Sequence, residues 1–271
     1  MLSLGGLSFA VEPEGALSAA EKQSLARLGA IEPANPAAGP FRILISPDPL
    51  PTSLDPDALP ERAPALTDWA DDRVVVTHRQ FAAELDPARR SGLLFRRTEE
   101  AFPLEITLRV ALASRLPLEG GLPLHAAGIL MDGRSLAFFG PSGAGKSTLA
   151  GLSPYPVFSD ELLAVVPGWS FAVMKAGFWG TLGRGDAPAG AFPLQALIEL
   201  GKGPRFELTR LSPRAALRRL LGVVMVPVGP PLWNAALAAA GSLARQVPAY
   251  RMTWSPASPP WDDLRRALLS T

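Results

Sequence analysis

The chain has 271 residues, 48% hydrophobic and 19% charged, with 26 Lys plus Arg against 25 Asp plus Glu for a formal net charge of +1. That length is ample for a buried core and allows one large or two smaller domains, and the near-neutral balance argues against a protein that coats nucleic acid or another polyanion. With no Cys, and with only His78 and His125 as imidazoles, disulfides, thiolate metal sites, cysteine nucleophiles and histidine-rich metal centres are excluded.

Met1 to Gly15 carries no Lys or Arg ahead of its short apolar stretch, so no signal peptide is expected. Ser18-Ala-Ala-Glu21 has capping-box spacing, opening a helix with Leu25 and Leu28 on one face and Gly29 as its stop. Phe41 to Ile45 and Val74 to Thr77 read as strands from their β-branched and aromatic content. Between them, Pro47 to Pro64 holds six prolines and reads as a surface loop. Residues 1–102 are therefore expected to form a β-rich region packed on a second domain, residues 103–271.

That second domain opens with Pro103, suited to a helix's first turn, followed by Leu104, Leu108, Leu112 and Leu116 at four-residue intervals until Pro117 and Gly120-Gly121. Two apolar runs follow, Leu122 to Met131 and Ser135 to Phe139, joined by Asp132-Gly133. Asp-Gly between such runs predicts a hairpin, because a type I′ turn needs positive φ at both central residues. Tyr155 to Phe158, Leu162 to Val166 and Phe171 to Met174 read as further strands. Ser212-Pro213 starts a helix with Arg214, Arg218 and Arg219 on its polar side, most simply a solvated face. The apolar run Leu220 to Ala240 is interrupted by Pro227, Pro230 and Pro231, so no membrane helix is expected there, and a cytoplasmic location follows. The tryptophans lack the ordered spacing of a base-stacking surface.

The chemistry lies in the segment that leaves the hairpin. Gly140, Pro141, Ser142, Gly143, Ala144, Gly145, Lys146 and Ser147 match G-x-x-x-x-G-K-[ST] at every position. The glycines let successive backbone N–H groups point into one concavity, and the helix expected from Lys146 adds its amino-terminal donors. Lys146 is the point charge for β- and γ-phosphates, and the Ser147 hydroxyl joins the shell of Mg²⁺, with Thr148 beside it. This spacing predicts nucleotide binding. Downstream, the expected strand Tyr155 to Ser159 delivers Asp160 and Glu161, positioned to hold Mg²⁺ or to take a proton from an acceptor; the simpler alternative is a pair of solvated turn acids. His125 falls opposite Gly140 if the hairpin has no bulge, which puts its imidazole beside bound phosphates, where charge favours the protonated ring. A neutral core histidine is the ordinary alternative. Arg184, in Gly183-Arg-Gly185-Asp186, has the reach to touch a phosphate but reads more simply as a solvated loop residue.

Leu124-His-Ala-Ala127, Gly140 to Ser147 and Ser159-Asp-Glu161 together resemble the HPr kinase family and its shorter relatives, in which a His-Ala strand leads through a hairpin into the phosphate loop and an acidic pair follows. Phosphoenolpyruvate carboxykinases share that loop architecture but are far longer. The resemblance covers about Pro103 to Met174 and continues more faintly through Gly177-Phe-Trp-Gly180 and Pro193-Leu-Gln-Ala-Leu197 to Val247-Pro248. Glu161 stands where the bifunctional enzymes have aspartate, Thr148 where they usually have glutamate, and no segment matches the one that supports dephosphorylation.

The resemblance implies an α/β fold with a P-loop kinase domain of the HPr kinase and phosphoenolpyruvate carboxykinase type. It implies an ATP- and Mg²⁺-dependent kinase acting on a hydroxyl, a serine of a small protein or peptide, with no nucleic-acid or membrane partner; a homo-oligomer is allowed. Asp160 would activate the acceptor hydroxyl, with His125 and Lys146 at the γ-phosphate and Ser147, Asp160 and Glu161 around the metal. A different class of function fits the loop alone: a nucleotide-dependent binding or regulatory protein that transfers no phosphate to a substrate.

Overall fold

The computed structural model describes residues 1–28, 39–50, 59, 64–183 and 185–269. Gly29, most of the proline-rich segment 47–64 and Arg184 lie outside the described residues. The fold is mixed α/β, and its contacts group the chain into two units: Met1–Glu119 with Val226–Ala235, and Gly120–Met225 with Ala236–Thr271.

The first unit contains β1 (Leu2–Leu4), β2 (Leu7–Pro13), α1 (Ala19–Leu28), β3 (Phe41–Ser46), β4 (Leu66–Ala70), β5 (Arg73–His78), β6 (Phe81–Asp86), β7 (Ser91–Arg96) and α2 (Phe102–Leu118). Its seven strands form one sheet in the order β1-β2-β3-β7-β6-β5-β4. The β2–β3 and β3–β7 pairs are parallel and the rest antiparallel. The capping box is formed as expected: the Ser18 amide donates to Glu21 Oε2 at 2.8 Å and the Glu21 amide to Ser18 Oγ at 3.1 Å.

Helix α2 buries Leu104, Leu108, Leu112 and Leu116 and packs on β6 and β7, each leucine contributing about 1.5–3 kcal/mol. That packing puts α2 with the N-terminal sheet, so the units divide at Gly120 and not at Pro103. Pro117 lies inside the last turn instead of ending it, and the chain leaves the helix at Gly120 with φ 78°. Two further tight hairpins lie in the first unit. Gly5-Gly6 turns β1 into β2 with φ of 54° and 82°, and Asp71-Asp72 turns β4 into β5 with φ of 49° and 61°. The second uses aspartates, which tolerate left-handed backbone through their short polar side chains.

The second unit contains β8 (Leu122–Met131), β9 (Arg134–Phe139), α3 (Lys146–Gly151), β10 (Val157–Ser159), β11 (Leu162–Pro167), β12 (Phe171–Lys175), β13 (Phe192–Lys202), β14 (Glu207–Arg210) and α4 (Pro213–Leu220). They are followed by α5 (Pro230–Gln246, its first residues grouped with the first unit), β15 (Ala249–Trp254) and α6 (Trp261–Leu269). The pairings β8–β11, β11–β12, β12–β13, β13–β9 and β9–β8 close a ring of five strands. Strands β9, β13 and β15 run parallel, with their carboxyl ends on one edge, the edge at which open α/β sheets collect ligands. One sheet face is a core of Ala127, Ile129, Phe138, Ile198, Met252 and Trp254, covered by Leu149 of α3 and Trp261, Leu264 and Leu268 of α6. Among the described residues no helix is long and apolar enough to cross a membrane; α4 ends at Leu220 and α5 begins at Pro230-Pro231, where proline suits a first turn.

Candidate functional site

The predicted hairpin has the predicted register. Asp132 and Gly133 take φ of 51° and 77°, Met131 pairs with Arg134, and the ladder runs unshifted to Ala126 opposite Phe139. Gly140 therefore leaves β9 one step beyond the ladder, level with His125.

On the other edge of β8 the ladder opens. Ser159 pairs with Gly128 and Leu162 with His125. This is one continuous register, so Asp160 and Glu161 stand opposite Ala127 and Ala126 without pairing to them. A register shift between Val157 and Ser159 accompanies the opening, the kind of irregularity that re-aims side chains beside functional sites. The two edges of β8 thus deliver a glycine loop and an acidic pair to the same place. His125, Ser142, Gly143, Gly145, Lys146, Ser147, Thr148, Asp160 and Glu161 line one cleft of about 330 Å³. Of the expected loop residues, Gly140, Pro141 and Ala144 do not line it. Ala144 is buried in the core, and Gly140 and Pro141 meet the site through their carbonyls.

Gly145, with φ 98°, is a backbone that side chains resist, and a Cβ there would point at the Trp254 indole at 3.5 Å. Helix α3 is only six residues long, so charge in the cleft rests mainly on Lys146. That side chain is 7% exposed, and Nζ donates to the Gly140 carbonyl at 2.9 Å and the Pro141 carbonyl at 3.4 Å. Burial pushes its pKa down from the usual lysine range, with the Glu161 charge opposing. A desolvated ammonium held by carbonyls at a polar cleft is a strong attractor for an anion.

His125 is one-third exposed at its side chain, and its amide donates to the Val223 carbonyl at 2.7 Å. Nδ1 lies 3.0 Å from the Glu161 carbonyl oxygen and 3.7 Å from Glu161 Oε2. With Nδ1 donating to the carbonyl, Nε2 is left for the cleft. The ring is bonded to backbone, as a structural histidine would be, yet it borders the cleft and is not buried in the core.

Asp160 is 2% exposed, so it is not a solvated turn acid. Oδ1 accepts the Gly180 amide at 2.8 Å and Oδ2 the Leu182 amide at 3.3 Å. The segment carrying those amides is stitched along β10: Trp179 Nε1 donates to the Phe158 carbonyl at 3.2 Å, the Val157 amide to Asp186 Oδ1 at 2.6 Å, and the Ala187 amide to the Val157 carbonyl at 3.0 Å. Sequence reasoning missed this support. Its only sequence signal was Gly180 within Gly177-Phe-Trp-Gly180: a Cβ at Gly180 would sit 3.1 Å from Asp160 Oδ2.

Among the described residues no group of three or more His, Asp or Glu side chains could by itself hold a metal ion. Ser147, Asp160 and Glu161 line the same cleft, a hydroxyl and two carboxylates of the donor type that Mg²⁺ takes together with water and substrate phosphates. The arginines of α4 take no part: Arg219 pairs with Glu199 at 2.8 Å, and Arg214 and Arg218 are exposed. No family model matches the chain, and no curated protein matches it.

Proposed function

We propose that this protein is an ATP-dependent kinase of the HPr kinase-like P-loop type, moving the γ-phosphoryl group to the hydroxyl of a serine on a small protein or peptide. The observation that carries the reading is the meeting of a cationic glycine loop, a histidine and two carboxylates in one cleft. A phosphate-binding loop alone would need neither His125 nor a buried aspartate beside it.

In this reading the loop amides and Lys146 hold the β- and γ-phosphates, and Nε2 of His125, in the imidazolium form in which both ring nitrogens donate, donates to a γ-phosphate oxygen. The acceptor oxygen attacks the γ-phosphorus, the bond to the β–γ bridging oxygen breaks, ADP leaves, and the hydroxyl proton passes to Asp160. Mg²⁺ bound near Ser147, Asp160 and Glu161 would neutralise phosphate charge.

The test is incubation with γ-labelled MgATP and a small protein or peptide encoded beside this chain. Label on an acceptor serine is expected, and label recovered only in ATP and inorganic phosphate overturns the kinase reading. One observation favours the second reading, a nucleotide-dependent switch: both Asp160 oxygens already accept backbone amides. MgATP binding with no transfer to any acceptor is the outcome that selects it.

A prediction specific to transfer concerns His125. Glutamine keeps a neutral N–H near the position of Nε2 but cannot become a cation. His125→Gln is expected to lower transfer by roughly 10²-fold, the scale of one lost charge-stabilising donor, with little change in melting temperature without nucleotide. Intact transfer with a large loss of that stability would make His125 structural.

A further inference from the structure

We infer that Ser159 is a positioning residue for the site: its hydroxyl holds the β8–β10–β11 ladder open and so aims Asp160 into the cleft. The inference rests on the kinase reading for its consequence on transfer but not for its geometry.

Where a strand leaves its partner, its backbone donors need new acceptors. The amides next to the opening find one at a single atom: Glu161 N–H donates to Ser159 Oγ at 2.9 Å and Leu162 N–H at 3.1 Å. The hydroxyl proton goes in turn to the Phe178 carbonyl at 2.7 Å. Ser159 is 1% exposed, so water has no ready access to replace it. One buried hydroxyl therefore closes the turn that carries Asp160 and ties that turn to Phe178, two residues before the Gly180 amide that holds Oδ1 of Asp160. Two attachments from the same segment, Phe178 to Ser159 and Gly180 to Asp160, fix the carboxylate's direction. Neither Ser159 nor Gly180 lines the cleft, so their influence on phosphate transfer passes through Asp160.

Ser159→Ala keeps the small volume, removes the two-amide acceptor and removes the Ser159 hydroxyl's bond to the Phe178 carbonyl. Gly180→Ala works from the opposite side. Its Cβ would lie 3.1 Å from Oδ2 and 3.3 Å from Cγ and Oδ1 of Asp160, closer than ordinary contact, so the carboxylate must shift by a few tenths of an ångström. If Ser159→Ala does not fold, Gly180→Ala carries the same test.

The experiment measures kcat, KM for MgATP and melting temperature in the wild type and both variants, with rates corrected for the folded fraction, together with the amide resonances of Gly180 and Leu182 in Ser159→Ala and of Leu182 in Gly180→Ala. The expected result is a fall in kcat of about tenfold or more with KM for MgATP within about threefold, since the Lys146 loop is untouched, and displaced resonances for these amides. A purely structural serine would lower folded fraction and melting temperature but leave kcat per folded molecule alone. Wild-type kcat, or unmoved resonances, overturns the inference. If wild-type protein transfers phosphate to no acceptor, the kinase reading fails on its own; the resonances then decide the geometry, with displacement upholding it and wild-type positions overturning it.

Discussion

Lys146→Ala is expected to weaken MgATP binding by about 10²-fold or more, equivalent to about 2.7 kcal/mol, while leaving the nucleotide-free protein as stable as the wild type or slightly more so. The two halves of that expectation have one cause. Lys146 is 7% exposed, and burial pushes the pKa of its ammonium down, so the charge is held at a cost that an arriving phosphate removes. The Gly140 and Pro141 carbonyls lose their donor in the variant, a loss that offsets the relief of removing a buried charge. Calorimetric titration with MgATP, alongside thermal denaturation without nucleotide, checks both halves. Equal affinity in the two proteins would remove the phosphate-binding assignment, and a large fall in nucleotide-free stability would make Lys146 a structural residue.

Asp160→Asn is expected to abolish transfer while keeping nucleotide affinity within about tenfold, because an amide accepts no proton from the acceptor hydroxyl. The structure adds a consequence for stability. Asparagine's carbonyl oxygen can take the Gly180 or the Leu182 amide, but its NH₂ then faces the other N–H donor in a site with little room for water. Leaving one buried amide unpaired costs about 1–3 kcal/mol, which lowers the melting temperature by several degrees. Transfer, MgATP affinity and melting must therefore be measured on the same preparation. Transfer at the wild-type rate would show that Asp160 is not the base; lost transfer with wild-type melting would mean that the Gly180 and Leu182 amides contribute little to holding it.

The parts of this fold legible in the sequence are those specified locally. Asp132-Gly133 fixes its own turn and hence the register that brings His125 level with Gly140. Ser18 and Glu21 cap their own helix, and the glycine loop carries its spacing in the chain. What stayed hidden was specified at a distance. The amides of Gly180 and Leu182 that hold Asp160 are backbone groups with no side-chain signature. The assignment of α2 to the first sheet depends on what its leucines meet, which periodicity does not say. The break at Asp160-Glu161 lies between two strands the sequence predicts, but that both pair with β8 in one register does not show in the sequence. Of the candidate site, the residues that line the cleft were readable, along with Gly140, Pro141 and Ala144, which do not line it; the buried, doubly bonded state of Asp160 was not.

The position of β9 between two unlike neighbours has a kinetic consequence. Its contact with β8 is a two-residue hairpin, a type of structure that forms in about 1–10 μs. Its contact with β13 joins Leu136 to Ala196 in parallel, a pairing that must first close a long loop and is intrinsically slow. Gly140 emerges from β9 against the backbone of Leu200 on β13, so the early hairpin supplies only one wall of the glycine loop's seat. During refolding, the capacity to hold a nucleotide should arrive with the late, long-range event and lag behind the appearance of β-structure.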